Sequence, residues 1–165
     1  MRNAQENLAA EQQRLLKEVR QALLAMGAQL EDAEAVGLCG SLVRPGAWKA
    51  HSDVDVFVVV ERLGPGGETE RLWWNRVREA LHAFNRNVTV LVYSRRALEA
   101  VSNWYVLRLA SEGVLVYDRG GIAQLFGEIR AAAVRAGLVE DEIEGCRFWR
   151  RKDLRLGEVF EVKVR

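Results

Sequence analysis

The chain has 165 residues, 49% of them apolar and 28% charged, with two prolines and a formal net charge of +1. That composition suits one domain with a packed core and excludes disordered or collagen-like chains and a general nucleic-acid coat protein. No apolar run approaches the ~20 residues that cross a bilayer, the first 13 residues lack an apolar signal core, and two cysteines exclude a disulfide framework or a four-cysteine zinc site. A single cytoplasmic domain with no membrane association is expected.

Leu8, Leu15, Val19, Ala22, Leu23 and Met26 recur at helical spacing and predict an amphipathic helix over 7–26, stopped by Gly27. Residues 36–39 read as a short apolar strand ending at Gly40-Ser41. The stretch 42–52, with Pro45 and Gly46, reads as a loop or a short helix plus loop. The run 54–60 is apolar on both alternating faces, the pattern of a strand inside a sheet. After the break at Gly64-Pro-Gly-Gly67, Thr69 is placed to cap a helix whose face carries Trp73, Val77, Ala80, Leu81 and Phe84.

Residues 88–93 read as a second buried strand. One helix is expected over 95–112, ended by Gly113, then a short strand over 114–117 and a helix over 122–136. This order gives an α/β (α+β) sandwich with a mixed sheet. It divides into an N-terminal helix (1–30), a core (31–120) and a C-terminal helix with a basic strand or tail (121–165). Residues 147–165 carry seven Lys/Arg against three Asp/Glu, and Leu156, Val159, Phe160, Val162 and Val164 predict a terminal strand there. Its charge reads either as protection of an exposed edge or as a contact for phosphates, RNA or a partner protein.

The chemistry concentrates in Gly40-Ser41, eleven residues, then Asp53-Val-Asp55 and an apolar run. Residues i and i+2 of a strand share a face, so Asp53 and Asp55 stand side by side where a buried strand begins. Two neighbouring carboxylates repel each other and are costly to bury without a counter-charge. A divalent cation such as Mg²⁺, shared with nucleotide phosphates, supplies it. Gly40 lets backbone N–H groups approach an anion, and the Ser41 hydroxyl beside them suits a phosphate oxygen.

The stretches Val36-Gly-Leu-Cys-Gly-Ser41 and His51-Ser-Asp-Val-Asp-Val-Phe-Val-Val59 resemble the signature of the minimal nucleotidyltransferases of the DNA polymerase β superfamily. That group includes kanamycin nucleotidyltransferase-like proteins and the antitoxin partners of HEPN toxins. Arg44 and Gly46 fit the Arg-Gly that often follows the Gly-Ser pair, with Pro45 inserted, and Ser111-Glu-Gly-Val-Leu-Val-Tyr-Asp118 is similar to the family's final core strand. The resemblance covers roughly residues 30–120. It implies a nucleotidyltransferase-fold mixed sheet flanked by helices. It also implies transfer of a nucleoside monophosphate from an NTP, ATP foremost, to a hydroxyl, with Mg²⁺ or Mn²⁺. Asp53 and Asp55 would be catalytic and hold the metal; Gly40, Ser41 and Arg44 or Lys49 would hold the triphosphate. A HEPN-type protein partner is implied in the antitoxin alternative.

One position departs from the pattern. The family's third carboxylate comes from the next core strand, where this chain has Thr89. A threonine is neutral and neither holds a metal strongly nor serves as the base that takes the proton of the attacking hydroxyl. A catalytically impaired nucleotide sensor or an antitoxin-type binding module is therefore the alternative to an enzyme. Glu61 lies too far along its strand to substitute, while Asp118 and Glu112 flank another strand. His51 and His82 read as loop and solvated histidines, Cys39 as a small core residue, and Trp73, Trp104 and Trp149 as packing or interface side chains, with base stacking the less favoured alternative.

Overall fold

A computed structural model describes residues 2–143, 146–151 and 161–164. The 54–60 run forms strand β2 (Val54–Val60), which lies inside a four-stranded sheet as its two-sided apolar pattern requires. Strand β1 (Ala35–Cys39) flanks it antiparallel and β3 (Val88–Ser94) flanks it parallel; β4 (Val114–Asp118) pairs antiparallel with β1 at the far edge. The result is a mixed sheet with helices on both faces, in one domain.

Alternation along β2 divides the core into two layers. Val54, Val56, Val58 and Val60 pack with Val36 and Leu38 against α1 (Arg2–Leu24) and α2 (Glu68–Leu81). Phe57 and Val59, with Ala35 and Cys39, pack against α3 (Arg95–Glu99), α4 (Trp104–Glu112) and α5 (Ile122–Arg135). Each such buried side chain contributes roughly 1.5–3 kcal/mol, so the β2 run anchors whatever sits at its start. Phe57 crosses its antiparallel partner Gly37, where a Cβ would overlap the ring.

The first helix starts earlier than its apolar periodicity suggests and ends before Gly27, whose φ is 58°. The one helix expected over 95–112 is two. Val101 takes a φ of 42°, rare for a β-branched residue, and Asn103 Oδ1 accepts the Val106 N–H at 3.1 Å to start α4. Thr69 does not cap α2; that helix begins at Glu68, and the Thr69 hydroxyl accepts the Gly64 N–H at 2.8 Å in the turn before it. β3 is an edge strand, so its residues are half-buried, and Thr89 is exposed.

The tail also departs from expectation. β6 (Cys146–Arg151) pairs with β5 (Leu138–Ile143) in a separate two-stranded sheet. Of the residues expected in a terminal strand, Leu156, Val159 and Phe160 lie outside the described residues, while Val162 and Val164 pack on the α4–α5 layer without regular structure. Arg147 pairs with Glu142 at 3.5 Å and Arg150 with Asp141 at 2.6 Å, so acids of β5 balance basic charge of β6. The Arg150 guanidinium holds the Asp141 carboxyl below the usual carboxylate range. No helix among the described residues is long and apolar enough to cross a membrane.

Candidate functional site

Asp53 and Asp55 share the α4–α5 face at the start of β2, in line with Phe57 and Val59. In the sheet register Asp55 stands between Cys39 of β1 and Thr89 of β3. Asp55 is half-buried and Asp53 exposed. Beyond Cys39 the chain turns sharply through a 3-10 turn, Gly40–Val43. Gly40 has a φ of 73°, and a Cβ built there would overlap the Asp55 carboxylate. The glycine is thus required twice, by its left-handed backbone and by the carboxylate lying against its Cα. Gly40→Ala is expected to destabilise the protein by about 1–2 kcal/mol through the backbone alone and to swing Asp55 out of line with Asp53. Thermal melting checks the first effect and loss of cation-dependent nucleotide binding the second.

Burial pushes the Asp55 carboxyl above its usual range, and the like charge of Asp53 adds to the rise; a hydrogen bond with Thr89 and the nearby Arg44 and Arg108 oppose it. The Thr89 hydroxyl therefore faces the pair, where it donates to Asp55 instead of adding a third charge. Arg44 Nε donates to Gly40 O at 3.3 Å and lies 3.8 Å from Glu112, which also takes Arg108 at 3.0 Å. The Glu112 side chain is 9% exposed and sits between two guanidiniums. This acid is engaged as a counter-ion, which fixes both cations near Asp55. Cys39 Sγ lies 3.7 Å from the Tyr105 hydroxyl. Burial pushes its thiol up to about 11, so it is no nucleophile at neutral pH.

Among the residues singled out in the sequence, Gly40, Ser41, Arg44, Asp53 and Asp55 converge at this corner, with Ser41 half-buried. Lys49 is exposed further along the loop, where its backbone N–H donates to Ser52 Oγ at 3.0 Å, and among the described residues no contact ties its side chain to the carboxylates. His51 and Asp53 line a cavity of about 190 Å³ with Asn85 and Arg86, on the β3 side of the pair. Asp118 caps α5, accepting the N–H groups of Ile122 and Ala123 at 2.8 and 2.9 Å. It lies at the end of the sheet away from Asp55.

Gln12 was not legible as a site residue. It is buried, 7% exposed, and its side-chain amide donates to Ser41 O at 3.2 Å, Leu42 O at 2.9 Å and Arg44 O at 3.0 Å. Helix α1 thus holds the turn from the sheet's opposite face. Glu11 reinforces it through Arg86, which also donates to Ala50 O at 2.7 Å and covers Trp48. The only signal in the sequence is a polar residue on the inner face of an amphipathic helix.

Among the described residues no group of three or more His, Cys, Asp or Glu side chains could hold a metal alone. Two adjacent carboxylates, one destabilised by burial and by its neighbour, fit one Mg²⁺ that keeps several waters and shares its ligands with phosphates.

No protein-family model and no curated protein matches the chain. Several solved structures are similar to it. A Sulfolobus solfataricus protein classed as a nucleotidyltransferase shares 21% identity over 68% of this chain and 89% of its own, with a TM-score of 0.46. The toxin–antitoxin pair MntA–HepT gives 12% identity over 66% and 77%, with a TM-score of 0.43. A tri-AMPylated Shewanella oneidensis HEPN toxin in complex with its MNT antitoxin gives 11% over 73% and 87%, with a TM-score of 0.47.

Proposed function

We propose that this chain is a nucleotidyltransferase-fold protein that binds an NTP, ATP foremost, and transfers its nucleoside monophosphate to a hydroxyl acceptor. The observation that carries this reading is the Asp55 carboxylate lying against Gly40, which unites a phosphate-type turn with a carboxylate pair. The triphosphate would lie along Gly40, Ser41 and Arg44, where Arg44 neutralises its charge. Asp53 and Asp55 would hold Mg²⁺ or Mn²⁺, which when bound offsets charge on the phosphates as pyrophosphate leaves. The acceptor oxygen bonds to the α-phosphorus as the bond from that phosphorus to the β-bridging oxygen breaks. The hydroxyl proton would pass to Asp55, the carboxylate that lies against the Gly40 turn.

Thr89 favours a second reading. With a hydroxyl bonded to Asp55 in place of a third carboxylate, the same site suits a nucleotide sensor or an antitoxin-type module that acts on a protein partner, such as one of the HEPN type, by binding alone.

Titration of ATP by calorimetry, with Mg²⁺ and then with EDTA, tests the site common to both readings. Affinity is expected to be at least about tenfold higher with the cation, and Asp53→Asn with Asp55→Asn to erase that difference while the protein stays folded. Equal cation dependence in wild type and double variant overturns the site. Labelled nucleotide appearing in a product with wild-type protein separates enzyme from sensor.

A further inference from the structure

Two cavities, of about 290 and 300 Å³, adjoin on the α4 side of the site and share Ser111, Glu112 and Arg147. One begins at Arg44, beside the Gly40 turn; the other ends between two indoles, Trp104 of α4 and Trp149 of β6. The hairpin is fixed to α4 by Trp149 Nε1, which donates to Ser111 Oγ at 3.1 Å. Trp104, at the start of α4, is 52% exposed, a large apolar side chain at the mouth of a cleft.

We infer that this cleft between α4 and the β5–β6 hairpin takes the nucleoside of the bound nucleotide, its base stacked on Trp104. The inference rests on the proposed phosphate site and deepens it. Three features carry it. The two cavities meet at Ser111, Glu112 and Arg147 and are lined by Arg44 and Arg108, the two cations near Asp55, so a ligand with phosphates on the turn can extend into them. Its size suits a nucleoside rather than a polymer, since small-molecule sites begin at roughly 300 Å³. Its chemistry is an indole face with Glu140 on the wall opposite, and a carboxylate there accepts from the amino edge of a base. The separate cavity by His51 and Asp53 lies on the β3 side and is left for the acceptor.

Calorimetry with ATP and with inorganic tripolyphosphate, both with Mg²⁺, separates the two halves of the ligand. Wild type is expected to bind ATP more tightly than tripolyphosphate. Trp104→Ala should weaken ATP by about tenfold, within the range of a lost base–aromatic stack, and leave tripolyphosphate unchanged. Trp104→Phe keeps an aromatic face and should recover most of the loss, which a merely structural role would not predict. ATP binding that is unchanged in Trp104→Ala, or lost in parallel with tripolyphosphate, overturns the inference and leaves the phosphate site standing. Failure of wild type to bind either ligand overturns both. Circular dichroism of each variant confirms that the comparison is between folded proteins.

Discussion

Replacing Gln12 with Leu is expected to lower stability by about 2–3 kcal/mol and the melting temperature by about 5–10 °C. The change keeps side-chain volume close and removes one NH₂ group. That group serves three carbonyls, those of Ser41, Leu42 and Arg44. Ser41 O keeps the Arg44 N–H at 3.3 Å, whereas Leu42 O loses a buried donor. A buried acceptor left unmade costs about 1–3 kcal/mol, more than the bond itself contributes. Gln12→Glu provides the sharper comparison. At neutral pH its carboxylate has no donor and faces carbonyl oxygens, so it should destabilise more than Leu. Protonation returns one donor, so its deficit relative to Gln12→Leu should shrink as pH falls through a carboxyl pKa raised by that environment. Melting curves of both variants at neutral and mildly acidic pH read this directly. A Gln12→Glu protein that melts like wild type at pH 7 would show that the amide does not hold the turn.

The consequence for function follows from where the bonds go. Among the described residues helix α1 shows no side-chain contact with the carboxylates, yet it grips the turn that places Gly40 against Asp55. A loosened turn should therefore weaken nucleotide binding in Gln12→Leu beyond the loss of stability, since phosphate sites depend on donors held in place before the ligand arrives.

How much of this could be read beforehand depended on the length scale of the signal. The pair Asp53 and Asp55 was legible because the period of a strand is two and the apolar run after it fixes its depth. Thr89 was singled out only through the family resemblance, and the parallel register places it beside Asp55. The break between α3 and α4 was not legible, because Ala100-Val-Ser-Asn103 has no glycine or proline to announce it; Val101 takes its positive φ between the buried Leu98 and Val106. The hairpin was missed for another reason. Leu138-Val-Glu-Asp-Glu-Ile143 is acidic and poorly alternating, and it becomes a strand through pairing with Cys146-Arg-Phe-Trp-Arg-Arg151, with Asp141 and Glu142 meeting Arg150 and Arg147. Gln12 needed the tertiary structure altogether, since its three acceptors lie 29 to 32 residues away.

Thr89→Asp is the substitution expected to couple stability most strongly to a cation. It places a third carboxylate beside Asp55 and Asp53 and replaces a hydroxyl that now hydrogen-bonds Asp55. Without metal the added like charge raises the Asp55 carboxyl further, and the variant should melt below wild type in EDTA at pH 7. The sign of the pH dependence follows from that direction. A carboxyl whose folded pKa lies above its unfolded value destabilises the ionised fold, so the deficit grows as pH rises through that pKa and fades below it. Millimolar Mg²⁺ should reverse the loss, because a ligand bound only to the folded state stabilises it by about 2.7 kcal/mol at a hundred times its dissociation constant. Wild type, with two carboxylates, should gain less. Scanning calorimetry in EDTA and in Mg²⁺ measures both gains, and a variant whose melting ignores Mg²⁺ would sink the three-carboxylate geometry. Turnover then separates the two readings of function. Where wild type is a sensor limited by its missing base, Thr89→Asp should gain nucleotide transfer, since the introduced carboxylate would both hold the cation and take the acceptor's proton. Where wild type already transfers nucleotide with Asp55 as base, the variant should tighten metal binding with little change in rate.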